Sequence, residues 1–109
     1  MPKKYLIEND PVVSKYIDGI RRRLKSRLKN VYLFGSRARG DAWEGSDYDM
    51  ALVVKDRDRN LEEAVLDVST FLLDEFEVFV STQIFTEDEW QIESKGSMGK
   101  NIIKEGVEL

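Results

Sequence analysis

The sequence predicts a small mixed β-sheet with helices packed on it, an α/β (α+β) fold in one domain spanning residues 1–109. Three observations predict it. Two long stretches repeat apolar residues at spacings of three and four. Three short runs, "VYLF", "YDMALVV" and "EVFVSTQIF", are rich in β-branched and aromatic residues. The two kinds alternate as helix, strand, strand, helix, strand, helix, an order that packs helices against a sheet. A chain of 109 residues has enough length for one core and little more.

The first helix opens in "NDPVVSKYIDGIRRRLKSRLKN". Asn9 or Asp10 is a candidate N-cap, and Pro11 suits a first turn, where its missing N–H has no partner to lose. Val13, Tyr16, Ile17, Ile20, Leu24 and Leu28 then form one apolar stripe. Arg21, Arg22, Arg23, Lys25, Arg27 and Lys29 mostly take the wet side, several near the C-terminus, where cations suit the helix dipole. "VYLF" follows as a short buried strand stopped by Gly35. "YDMALVV" is a second strand, with Tyr48, Met50, Leu52 and Val54 on one face and Asp49, Ala51 and Val53 on the other. "KDRDRN" is a polar loop. "LEEAVLDVSTFLLDEF" is a second amphipathic helix through Leu61, Val65, Val68, Leu72 and Phe76, and "EVFVSTQIF" is the third strand. Thr86 and Glu89 in "TEDEW" have the spacing of a capping box, so a short helix follows. A glycine-broken tail and a last helical turn near "KNIIKEG" close the chain.

Composition excludes several chemistries. There is no cysteine, which rules out disulfides and thiolate sites and fits a reducing cytoplasm. There is no histidine either. A general base must then be a carboxylate, lysine or tyrosine, and a metal must be a hard, oxygen-liking cation such as Mg²⁺ or Mn²⁺. No apolar run approaches the ~20 residues that cross a bilayer, and nothing at the start resembles a secretory signal. The net charge of −4 argues against nucleic acid as a partner. Charge is unevenly spread: residues 1–40 carry about +8 and the rest about −12. Such a chain complements a partner or itself, or simply has a solvated basic helix.

The stretch with chemistry in it is "FGSRARGDAWEGSDYDM", Phe34 to Met50. Gly35 lets the backbone turn sharply after a strand. A helix starting at Ser36 would offer free N–H groups and a hydroxyl to phosphate oxygens. Alone, a Gly-Ser turn is ordinary punctuation. Asp47 and Asp49, however, point to the same side of a strand with Cα atoms about 6–7 Å apart, and they repel unless a cation lies between them. Mg²⁺ takes one or two carboxylates and completes its shell with water and substrate phosphates. Aspartate is also a poor strand former, so the pair needs a reason. The competing structural reading is an exposed edge pair, or a cap made by Ser46 and Asp47. Turn and pair together suggest a nucleotide site in which a metal neutralises charge and aligns an in-line displacement.

The run Gly35-Ser36, ten residues, Asp47-Tyr48-Asp49 closely resembles the GSx10DxD signature of the minimal nucleotidyltransferases (MNT), in the DNA polymerase β-like superfamily. The wording "GSRARGDAWEGSDYDMALVV" and the closing "KNIIKEGVEL" extend the resemblance over essentially the whole chain. It implies a polymerase β palm-like fold, with Gly35 and Ser36 on the nucleotide phosphates and Asp47 and Asp49 on a divalent metal. The family usually has a third carboxylate, an aspartate, on the next strand. Here the acidic residue in that run is Glu77, one methylene longer, expected to face the pair as a third catalytic and metal-binding group. A working ligand, a weakened one and a solvent-facing residue all remain open for it. Arg39 is expected to bind phosphate or to hold the loop through Asp41, and Arg37 to be solvated. Trp43 has three open readings: stacking on a base, covering the sheet end, or meeting a partner.

The resemblance further implies an antitoxin, MntA-like, paired with an all-helical HEPN toxin that it neutralises by moving AMP from ATP to a tyrosine. The expected function is therefore a Mg²⁺-dependent protein adenylyltransferase, with Mn²⁺ as a substitute. One alternative is an MNT scaffold that neutralises its partner by contact alone, kept open by glutamate in place of aspartate. Another is nucleotidyl transfer to RNA or a small molecule, using Arg21, Arg22 and Arg23 as a strand-binding surface.

Overall fold

The computed structural model describes Ile7, residues 9–43 and residues 45–109. Asp10 is the N-cap of helix α1 (Pro11–Leu24): its side chain accepts from the Val12 N–H at 2.8 Å, and Pro11 begins the helix. The helix stops four residues before the last position of its apolar stripe. Lys25 takes a positive φ of 52° and a 3₁₀ turn, Lys25–Arg27, follows. Leu28 therefore opens strand β1 (Leu28–Phe34) instead of closing the helix, and the strand is three residues longer than its apolar run. Leucine at that position satisfies either period, which is why spacing alone assigned it to the helix.

Gly35 then turns the chain into a one-turn helix, α2 (Ser36–Arg39), capped by a left-handed Gly40. Strand β2 (Tyr48–Val54) and helix α3 (Arg59–Phe76) follow. The α3 N-cap is Asp58, which accepts from the Leu61 N–H at 2.9 Å. Strand β3 (Val80–Thr86) leads into α4 (Glu87–Glu93) through the expected capping box: Thr86 Oγ1 accepts from the Glu89 N–H, and Glu89 Oε1 from the Thr86 N–H. The tail forms α5 (Ser97–Glu105) and a short strand β4 (Val107–Glu108), which had no signal in the sequence.

Among the described residues the sheet has four strands in the order β3-β2-β1-β4. β1 runs antiparallel to β2 and β4, while β2 and β3 are parallel and are joined by α3. The sheet is mixed, as expected. One face carries Tyr48, Met50, Leu52 and Val54 of β2 with Val31 and Leu33 of β1. These pack on the buried stripe of α1 (Val13, Tyr16, Ile20) and that of α3 (Leu61, Val65, Val68, Leu72). The opposite face carries Asp49, Ala51 and Val53. Over its lower part, Trp90 of α4 stacks on Tyr32 with ring centroids 5.5 Å apart and meets Phe85 at 5.2 Å. Ala51 and Val53 are buried there, and α5 adds Ile102. The top of that face, at the start of β2, stays open. The uneven charge is partly spent inside the molecule, since Arg23 reaches Asp67 and Arg27 reaches Asp56, each at 2.7 Å. Among the described residues no helix is long and apolar enough to cross a membrane.

Candidate active site

Antiparallel pairing sets Phe34, the last residue of β1, opposite Asp49 of β2. The next residue is Gly35, at φ 75° and ψ −161°, a region that belongs to glycine. A Cβ built there would collide with Asp49 Oδ2. The turn and the carboxylate are thus seated directly on one another, and only the missing side chain makes room. Asp47 lies one residue ahead of β2, so the strand begins between the two aspartates and not before them. Burial and then the negative charge of Asp47 push the Asp49 carboxyl up from its ordinary value, with Arg39 pulling the other way. That upward push marks a carboxylate pair short of positive charge.

Arg39, at the end of α2, donates to Asp41 at 3.2 Å and to Glu105 of α5 at 3.4 Å. The loop-holding role through Asp41 is therefore real, and Glu105 is a second tether from the far end of the chain. Between α5 and the phosphate-type turn lies a cleft of about 450 Å³, bordered by Phe34, Gly35 and Arg39 on one side and by Met98, Asn101 and Glu105 on the other. A second cleft of about 310 Å³ lies between α1 and α3, where Arg22 and Arg23 border it. That one is across the sheet from Asp49.

Arg37 corrects its sequence reading. It donates through Nε and Nη2 to the Ser46 carbonyl, at 3.2 and 2.8 Å, and its guanidinium lies 4.3 Å from the centre of the Tyr48 ring. Tyr48 in turn donates its hydroxyl to Asp10, at 2.6 Å. A chain of contacts from Asp10 through Tyr48 and Arg37 to Ser46 thus fixes the loop that ends at Asp47. Trp43 is 72% exposed, its backbone tied to Ser46 in a tight turn. A loop arginine gives no sequence signal for such contacts; Tyr48 gave one, as the apolar residue between two acids.

Glu77 is the second correction. It is not in a strand. It caps α3 with a left-handed φ of 55°, donating its N–H to Leu73, and β3 starts three residues later. The helix runs through Phe76, and the cap it then requires falls on Glu77. Among the described residues no group of three acidic or other ligating side chains surrounds a common point. The parallel register pairs Asp49 with Ser81, and the Tyr48 N–H donates to the Phe79 carbonyl at 3.0 Å. The β3 positions that share the aspartates' face are therefore Ser81 and Phe79.

The sequence model of the polymerase beta nucleotidyltransferase family matches residues 19–109. This chain belongs to that family. The nucleotidyltransferase is 29% identical, over 100 residues, to a Methanocaldococcus jannaschii protein named "Putative protein adenylyltransferase", covering 92% of this chain and 96% of that one. It also resembles a chain of a toxin–antitoxin crystal structure with AMP-PNP, at 21% identity and a TM-score of 0.57, over 85% of this chain and 68% of the other. A chain from the complex of tri-AMPylated Shewanella oneidensis HEPN toxin with MNT antitoxin is 18% identical, with a TM-score of 0.50, over 89% and 70%. At these identities the two structures establish the fold, which is the minimal nucleotidyltransferase fold expected from the GSx10DxD run.

Proposed function

We propose that this nucleotidyltransferase moves AMP from ATP to a tyrosine hydroxyl of a HEPN-domain protein and so acts as an antitoxin. The observation that carries the reading is the seating of the Asp49 carboxylate against Gly35, which brings a pair of acids to the turn that begins at Ser36. The names of the relatives support the direction of the reading: one is described as an adenylyltransferase, and two chains of similar fold come from toxin–antitoxin complexes.

In this reading the triphosphate lies on Gly35 and Ser36, and Arg39 exchanges Asp41 and Glu105 for phosphate oxygens. The exchange is feasible because both tethers are exposed ion pairs, worth little in water. The cleft beside Gly35 and Arg39 has room for the nucleoside. Asp47 and Asp49 fit a hard divalent cation: the donors are carboxylates and the chain has no histidine or cysteine. The repulsion that raises Asp49 is what such an ion would relieve. When bound there, Mg²⁺ or Mn²⁺ supplies charge neutralisation on the phosphates. The chain's own residues hold the phosphates, orient them, and fix the loop before Asp47.

The test is transfer of label from α-labelled ATP, with Mg²⁺, to proteins that co-purify with the chain. A labelled band that vanishes with the Asp47→Asn, Asp49→Asn double variant is the expected result. A captured partner that is never labelled, and is still neutralised by the double variant, would show neutralisation by contact alone.

A further inference from the structure

The two seams beside β2 are unlike. On the aspartates' face, β1 brings Phe34 next to Asp49 and leads directly into the Gly35-Ser36 turn. On the other side, β3 brings Ser81 next to Asp49. One step upstream is Phe79. Val78 and Val80 pack against the core, so strand alternation turns Phe79 to the aspartates' face, where it is 64% exposed. Its carbonyl, held by the Tyr48 N–H, fixes it beside the entry to β2.

An in-line displacement places attacking and leaving groups on opposite sides of the phosphorus. This step of the argument rests on the reading given above, with the triphosphate on Gly35 and Ser36 at the β1 side. Pyrophosphate then departs over β1, and the acceptor must arrive over β3. What meets it there is a phenyl ring and a serine, with no carboxylate, because Glu77 is spent on the α3 cap.

We propose that Phe79 is the acceptor-binding residue of this enzyme and that it selects an aromatic hydroxyl over an aliphatic one. Two independent features point the same way. An exposed ring at the acceptor's approach favours another ring, by offset or edge-to-face packing. A side without a carboxylate suits a hydroxyl that ionises unaided, and a phenol, with an ordinary pKa of about 10, does so far more readily than an alcohol. In the step itself, the phenol oxygen bonds to the α-phosphorus. The bond from that phosphorus to the bridging oxygen breaks, its electron pair leaves on pyrophosphate, and the phenolic proton passes to water.

The experiment labels a host-cell lysate with the full chain, α-labelled ATP and Mg²⁺, maps the modified residues by mass spectrometry, and then titrates the labelled protein as acceptor. Phe79→Ala, Phe79→Tyr and Phe79→Asp are compared with the unaltered chain. Phe79 is exposed and lies outside the strand, so all three should fold; a melting temperature close to that of the unaltered chain checks this. The expected result is label on tyrosine and a rise of about 3- to 10-fold in acceptor KM for Phe79→Ala, the range of one aromatic pair. The KM for ATP should not move. Phe79→Tyr should restore the acceptor KM, and Phe79→Asp should shift label toward serine and threonine. Label on serine or threonine with the unaltered chain, or an unchanged acceptor KM in Phe79→Ala, overturns the proposal while leaving adenylyl transfer intact. Absence of any label from the unaltered chain overturns the transfer reading and this proposal with it.

Discussion

Gly35→Ala would perturb the molecule at the one point where the turn and the carboxylate touch. The backbone there, at φ 75° and ψ −161°, lies in a region nearly closed to other residues, so any side chain costs about 1–3 kcal/mol in strain. The added methyl also meets Asp49 Oδ2 and must push it aside. For a domain of this size the strain corresponds to a fall in melting temperature of roughly 4–15 °C. A reacting group displaced by ~1 Å can lose about 10²-fold in rate. Gly40→Ala is the control. Its φ of 85° is also positive, but a Cβ there meets nothing within 4 Å. It should cost a comparable ~1–2 kcal/mol with a rate within a few fold of the unaltered chain. Thermal unfolding and labelled-ATP transfer, measured on both variants, separate the two effects. If Gly35→Ala keeps its melting temperature and its rate, or if Gly40→Ala loses the rate equally, the seating of Asp49 on Gly35 is not what organises the site.

Three further outcomes follow from the same geometry. Asp49 has a folded pKa above its unfolded value, so the native state holds the proton longer; the associated stability is present at low pH and declines as pH rises from about 3.9 through the raised value. Asp49→Asn should therefore melt higher than the unaltered chain near neutral pH in the presence of chelator, while losing transfer, and a lower melting temperature would contradict this. Glu77→Gln should leave transfer unchanged, and Glu77→Gly should gain up to ~1 kcal/mol by relieving the left-handed cap; a large loss of rate in either would return Glu77 to the site. Arg37→Ala removes two hydrogen bonds to Ser46 and the contact with Tyr48, and should cost about 1–3 kcal/mol in urea unfolding and lower the rate. An unchanged unfolding midpoint would mean that the loop before Asp47 is held by other groups.

The sequence by itself determined the helices, the three longer strands, their order, the buried faces and the pairing of a Gly-Ser turn with two aspartates. These follow from local rules: side-chain period, N-caps such as Asp10 and Thr86, and the permissiveness of glycine. Element ends were less legible, because Leu28 fits a helix stripe and a strand equally and only the positive φ at Lys25 decides between them. The site divided along the same line. Gly35, Asp47 and Asp49 stand out within seventeen residues of chain, and the structure seats Asp49 on the Gly35 turn. Glu77 stood out too, as the acid in an apolar run, but the α3 cap takes it out of the strand. The roles of Phe79, Ser81, Arg37 and Glu105 depend on which residue lies opposite which across a parallel seam, or on how the last helix folds back on β1. Such register is a property of the packed sheet, set when the core closes, and no local pattern in the chain records it.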